Sequence, residues 1–318
     1  MRKVSDRRAY RCGCEALEPR VVLSHLARFG AVGDSLTDEY RFYAPDRSRA
    51  RNWVETLAGA RKADFGTYST RDRGLPRSQG YANNWAKENS RTGDVVASQL
   101  AGLASQVAAG KVDYAAVGMG TNDFLFFLED VATRTSDGNP PADFAPRLAA
   151  VAQNAAANLD ATVSTLLAAS PTVKVIVETT PDIRQVPIVA QYLTIPAAKQ
   201  AADAVAAVQT TYNAHIRQVA ATTPRVAVAD IAAQALANPA GATKLPFGGT
   251  TLRLTVTGDD YRDAILADKI HPGTIAQGII ADTIIQAADS LGATITPLSP
   301  AQIVARARYV AGHFRTAR

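Results

Sequence analysis

The chain has 318 residues, 47% hydrophobic and 20% charged, with a formal charge of +5; that supports one sizeable α/β core, and no run of about 18 apolar residues is present to span a membrane. The positive charge is scattered: residues 1–20 carry six Lys and Arg against three acids, residues 41–77 nine against four, and residues 301–318 four Arg and no acid. No basic stripe interleaves with aromatics on a single element, which argues against nucleic acid as a partner.

Residues 1–24 read as a basic tail. "MRKVSDRRAYRCGC" is followed by no apolar stretch of about 7–15 residues, so the pattern of an ordinary secretory signal is not met. Cys12 and Cys14 both lie here, leaving the body without a disulfide framework. From residue 25 to 294, short β-branched or apolar runs alternate with long Ala-rich stretches, the pattern of βαβ units on a parallel sheet. The predicted strands are 26–32, 61–67, 112–118, 173–179 and 225–229. "GDVVASQLAGLASQVAAG" and "FAPRLAAVAQNAAANLDATVSTLLAAS" read as the helices before the third and fourth strands. Further helices are expected over 196–221 and over 272–291, the second opened by Pro272, a residue that suits a first helical position. Residues 69–93 form a long polar connection, residues 248–266 look like an inserted hairpin, and residues 295–318 are a C-terminal helix with a basic end.

In an open parallel sheet the ligand crevice lies beyond the carboxyl ends of the strands. Gly33-Asp34-Ser35-Leu36 follows the first strand there, Gly120-Thr121-Asn122-Asp123 follows the third, and Asp268 with His271 precedes the last helix. Singly, each has a plain structural role: Ser35 as a helix cap, Asn122 as a turn residue, Asp268 as a solvated acid, His271 as a cap. Together they offer a hydroxyl nucleophile, a base and an acid to orient the base. Of the other histidines, His25 lies beside the first strand, His215 in a helix and His313 in the basic end.

The blocks "GDSL", "GTND" and "DKIHP", in this order, resemble the GDSL-type (SGNH) esterase and lipase family over about residues 28–290. The resemblance implies a flavodoxin-like three-layer α/β/α fold, here with a five-stranded parallel sheet, and hydrolysis of carboxylic esters without a metal or other cofactor. It makes Ser35 the nucleophile, His271 the base, Asp268 its partner and Asn122 an oxyanion donor, with Asp34 and Asp123 in support. The backbone N–H groups of Ser35 and of Asn89 complete the oxyanion hole. The family usually has glycine at the position Asn89 takes; Gly93 is the alternative if the loop is shifted. "CEALEPRVVLS" resembles a LEPR-type bacterial sorting segment, which implies an envelope or extracellular address; the alternative is a plain disordered basic tail on a cytoplasmic protein. The expected substrate is a small-molecule or polysaccharide ester with a short acyl group. Deacetylation of an O-acetylated polysaccharide, or a carbohydrate- or surface-binding protein that keeps the fold without activity, are the competing readings.

Overall fold

The computed structural model describes residues 27–45, 47–71, 79–135, 139–236 and 242–315; the sorting segment lies outside them. Along the chain come β1 (Phe29–Gly33), α1 (Trp53–Arg61), the two-residue strands β2 (Tyr68–Ser69) and β3 (Gly80–Tyr81), and α2 (Thr92–Asp94), which runs through a π turn (Val95–Gln99) into α3 (Leu100–Ala108). There follow β4 (Tyr114–Gly118), α4 (Thr121–Arg134), α5 (Phe144–Ala169), β5 (Lys174–Glu178), α6 (Pro196–Thr222), β6 (Val226–Ala229) and α7 (Ile231–Leu236). The last third holds β7 (Lys244–Phe247), β8 (Thr250–Thr257), β9 (Asp263–Ile265), α8 (Thr274–Ser290) and α9 (Pro300–Arg315).

The central sheet is parallel, in the order β1-β4-β5-β6. Because side chains alternate across a strand, each strand feeds two apolar layers. Val32, Ala115, Val117, Val175 and Val177 pack against α3 to α6, while Phe29, Ala31, Tyr114, Ala116 and Ile176 pack against α1, α8 and α9. In α9, Ile303, Val304, Ala307 and Val310 are buried.

The sheet has four strands, not the five expected. Residues 61–67 do not form the second strand: α1 continues through Arg61, Lys62 and Gly66 have positive φ (57° and 78°), and only Asp64 makes a bridge, to Arg28 just before β1. The outer edge of β1 is instead filled piecemeal. Phe29 N–H donates to the Asp64 carbonyl (2.7 Å), Ala31 N–H to the Asn83 carbonyl (2.9 Å), and Trp85 N–H to the Ala31 carbonyl (2.8 Å). The Asn83 side chain donates to the Phe29 carbonyl (3.3 Å), and the Gln99 amide both accepts from Gly33 N–H (2.8 Å) and donates to its carbonyl (2.9 Å). Every polar backbone group that a fifth strand would have bonded already has a partner.

The last long helix starts later than expected, at Thr274. Leu266 N–H donates to the His271 carbonyl and Gly273 N–H to the Ala264 carbonyl (both 2.8 Å), so residues 271–273 are held extended against β9 and Pro272 precedes the helix. The expected hairpin over 248–266 is also displaced. It consists of β7 and β8 joined at Gly248-Gly249, whose φ values of 56° and 78° suit a tight hairpin turn, and β9 then pairs parallel to β8.

Candidate active site

The strand ends set the floor of the site. Gly33 and Gly118 are register partners, and Gly33 has φ 157°, where an added Cβ would lie 2.4 Å from the Gly118 carbonyl oxygen. The chain then turns sharply. The Asp34 carbonyl accepts the N–H groups of Thr37 (3.1 Å) and Asp38 (3.0 Å), and Asp34 Oδ1 accepts Leu36 N–H (2.9 Å). Ser35 lies on this turn, directly beyond the carboxyl end of β1, and is 8% exposed.

The second part is a closed local turn. Asp268 Oδ1 accepts the N–H groups of Ile270 and His271 (2.9 Å each), and Oδ2 meets His271 Nδ1 at 2.6 Å. Lys269, at φ 65°, allows the chain to fold back this tightly. Burial works to raise the Asp268 pKa, but the hydrogen bonds and charge of His271 outweigh it and hold the carboxyl below the usual carboxylate range. In the neutral ring, with Nδ1 donating to that carboxylate, Nε2 is the acceptor. His271 Nε2 is buried and has no hydrogen-bond partner.

Tyr40 fixes these two turns relative to each other. Its ring meets His271 edge-on (5.8 Å, 82°), and its hydroxyl accepts from Gln277 Nε2 (2.7 Å). Gln277 Oε1 accepts Trp53 N–H (3.0 Å), while the Trp53 indole donates to Thr37 Oγ1 (3.1 Å), so α1 and α8 hold the segment that follows Ser35.

The third part is the Lys87–Thr92 loop. Lys87 N–H donates to the Gly33 carbonyl (3.2 Å) and Glu88 N–H to Asp38 Oδ2 (2.9 Å). Asn122 Nδ2 donates to the Ser90 carbonyl (3.0 Å), Gln99 Nε2 to Ser90 Oγ (3.0 Å), and Thr92 donates through both N–H and Oγ1 to Asp123 (2.9 and 2.8 Å). Asn89 sits within this clamp in the left-handed region (φ 61°) that glycine usually occupies. Gly93 lies beyond it in α2, with its Cβ position facing Asn158 Nδ2 at 3.9 Å. Asn122 thus has a loop-holding role that its expected one did not include; its amide retains a second N–H.

Beneath the turn lie acids that are largely or fully buried. Burial, reinforced by Asp123 and Asp38, pushes Asp34 up to about 7; burial and the nearby Asp34 push Glu178 up to about 8. Burial also raises Asp123, against the hydrogen bonds from Thr92. Proton uptake at Asp34 and Glu178 limits the negative charge collected near the Ser35 turn. Among the described residues no cluster of three or more His, Cys, Asp or Glu is arranged to hold a metal ion, and no helix is long and apolar enough to cross a membrane.

Residues 29–284 match the family model described as GDSL-like Lipase/Acylhydrolase. The chain belongs to that family. It is a carboxylic ester hydrolase of GDSL type, and the match runs from the start of β1 into α8, spanning all three sequence blocks. Among solved structures, the chain is similar to a lipase, Lip_vut3, from a goat rumen metagenome (14% identity, TM-score 0.49, 82% of this chain and 97% of that one). It is also similar to an extracellular lipase of Streptomyces rimosus (19%, 0.49, 82% and 99%) and a family 3 carbohydrate esterase of Talaromyces cellulolyticus (18%, 0.44, 83% and 97%). No curated protein sequence matches.

Sequence reasoning missed Gln99 and Glu178 in this GDSL hydrolase. Gln99 had a signal: Val95, Gln99, Leu103 and Val107 share one buried helix face by their i, i+4 spacing, and a lone amide on such a face must bond to backbone. Glu178 had one too, as an acid directly after the buried apolar run Val175-Ile176-Val177.

Proposed function

We propose that the enzyme hydrolyses esters of short acyl groups through an acyl-enzyme at Ser35. His271 Nε2 takes the Ser35 proton as Oγ attacks the ester carbonyl. Asp268 holds the imidazole tautomer and stabilises the imidazolium. The oxyanion is met by the N–H groups of Ser35 and Asn89 and the Asn122 amide, each such donor contributing about 3–4 kcal/mol to the transition state. Collapse returns the proton from His271 to the leaving alcohol, and water repeats the cycle to release the acid. The observation that carries this reading is His271 itself, with Nδ1 committed to Asp268 and Nε2 buried without a partner.

For the alcohol, the cationic, polar and aromatic mix of "RDRGLPRSQGYANNW" and "FFLED" supports a polar group. The same mix suits a sugar alcohol, hence the second reading, deacetylation of an O-acetylated polysaccharide. The LEPR-type segment in residues 1–24 supports export. Nitrophenyl esters from acetate to laurate, run beside an acetylated xylan, test the assignment. Acetate should turn over fastest and Ser35→Ala should remove turnover of every substrate. Turnover by Ser35→Ala at the wild-type rate ends the nucleophile assignment, and a preference for laurate ends the short-acyl one.

A further inference from the structure

Arg47 is nearly fully buried, 4% exposed, although it comes from a polar loop with no apolar pattern to bury it. Its guanidinium lies 3.9 Å from the ring centroid of Tyr43 and 5.6 Å from that of Tyr40. Among the described residues its one ion pair, through Nη2, is with Glu88, the residue before Asn89. Nη1 is buried with no hydrogen-bond partner. A buried guanidinium with an idle donor is a poor stabilising device, since desolvation offsets much of the ion-pair attraction. Its surroundings suggest another role. Tyr40 touches His271, and the Tyr43 hydroxyl donates to Asp38 Oδ2, the same oxygen that accepts Glu88 N–H. Asp38 N–H in turn bonds to the Asp34 carbonyl in the Ser35 turn (3.0 Å). Arg47 therefore lies where the Ser35 turn, the His271 turn and the Lys87–Thr92 loop meet.

Resting on the assignment of Asn89 as an oxyanion donor, we infer that Arg47 is a positioning residue for the oxyanion hole, acting through Glu88. A left-handed conformation at a non-glycine residue costs free energy, so it persists only where both flanks are fixed. On one side of Asn89, the Ser90 carbonyl is held by Asn122. On the other, Glu88 is held by its N–H to Asp38 and by its carboxylate to Arg47. Releasing the carboxylate leaves the Glu88 flank of Asn89 held by the bond from Glu88 N–H to Asp38 alone, and the looser donor is then out of line for the tetrahedral oxygen while the ground-state ester still binds.

The test uses the full chain carrying Arg47→Met, Arg47→Lys, Glu88→Gln or Arg47→Met with Glu88→Gln, and reads kcat and KM on a nitrophenyl acetate, inhibition by a boronic acid that forms a tetrahedral adduct with serine, and the melting temperature. Arg47→Met and Glu88→Gln should each lower kcat roughly tenfold to a hundredfold with KM within about twofold, and weaken boronic acid inhibition by a similar factor. The double variant should be no worse than the worse single one, and Arg47→Lys should recover part of the loss. A lower melting temperature with kcat and boronic acid inhibition unchanged overturns the inference, as does full additivity. If Arg47→Met does not fold, Glu88→Gln alone decides, because its side chain is 37% exposed. Ser35→Ala separates the two claims: should it stay active, the underlying assignment fails; should it be inactive while Glu88→Gln is like wild type, only the role of Arg47 and Glu88 fails.

Discussion

The His271 turn is held mostly from close by: Asp268 holds the imidazole and the N–H groups of Ile270 and His271, Leu266 N–H bonds to the His271 carbonyl, and a distant segment adds the bond from Ile188 N–H to the Lys269 carbonyl (3.0 Å). The Lys87–Thr92 loop is held from afar. Asp38 and Arg47 are 50 and 41 residues from Glu88, Asn122 is 32 from Ser90, and Asp123 is 31 from Thr92. A turn that carries its own hydrogen bonds keeps its shape whenever the surrounding core is folded. A loop assembled from distant side chains keeps its shape only while all of them are in place, so damage far away in sequence is felt there first.

The largest effect should come from the locally held turn. His271→Ala should lower kcat by about five orders of magnitude or more, and Asp268→Ala by one to two orders less, because a base is harder to replace than the group that orients it. Steady-state turnover of a nitrophenyl ester measures both; a harmless His271→Ala with a damaging His215→Ala would move the base elsewhere. Asn122→Ala attacks the other region. It should cost about 10²–10³-fold in kcat and speed amide hydrogen exchange at residues 88–92 while leaving residues 268–271 as they were. Faster exchange at both would erase the contrast.

The next prediction concerns the acid below both regions. Folding raises the Glu178 pKa to about 8, so between pH 4 and 8 the folded chain keeps a proton that the unfolded chain releases, and stability from this group falls as pH rises through that window. Glu178→Gln removes the dependence. In thermal melts the variant should match wild type near pH 4 and become increasingly the more stable of the two toward pH 8; a constant difference across that range would refute the buried-proton account. The smallest effect belongs to Asn89→Gly, which keeps the N–H and suits φ 61°, and should leave kcat within about threefold, whereas Asn89→Val should cost more. Equal loss in both would shift the donor away from residue 89.

The same contrast explains what the sequence could reveal. Strands β1, β4, β5 and β6 and the long helices were legible because buried parallel strands and amphipathic helices impose short periods on the chain. Asp268 and His271 were legible as a pair for the same reason: three residues apart, they can meet in one turn. Residues 61–67, RKADFGT, hold three charges against Ala63 and Phe65, a weak strand pattern, and the edge position went to Asp64, Asn83 and Trp85 with help from two amide side chains, a competition decided in three dimensions. Pro272 suited a helix start until pairing with β9 delayed it. Arg47 and Glu88 had no local signal, since a buried ion pair between two loops leaves no periodicity.

The filled outer edge of β1 has a further consequence, for self-association. An open edge strand offers a ladder on which another chain can add, the route to sheet-mediated aggregation. Here the Phe29 and Ala31 N–H groups and the Ala27, Phe29, Ala31 and Gly33 carbonyls facing that side are bonded within the molecule. The segments that bond them are too short and too broken by side-chain contacts to present a new ladder of their own. By giving up a regular fifth strand, the chain closes this side of its sheet to growth.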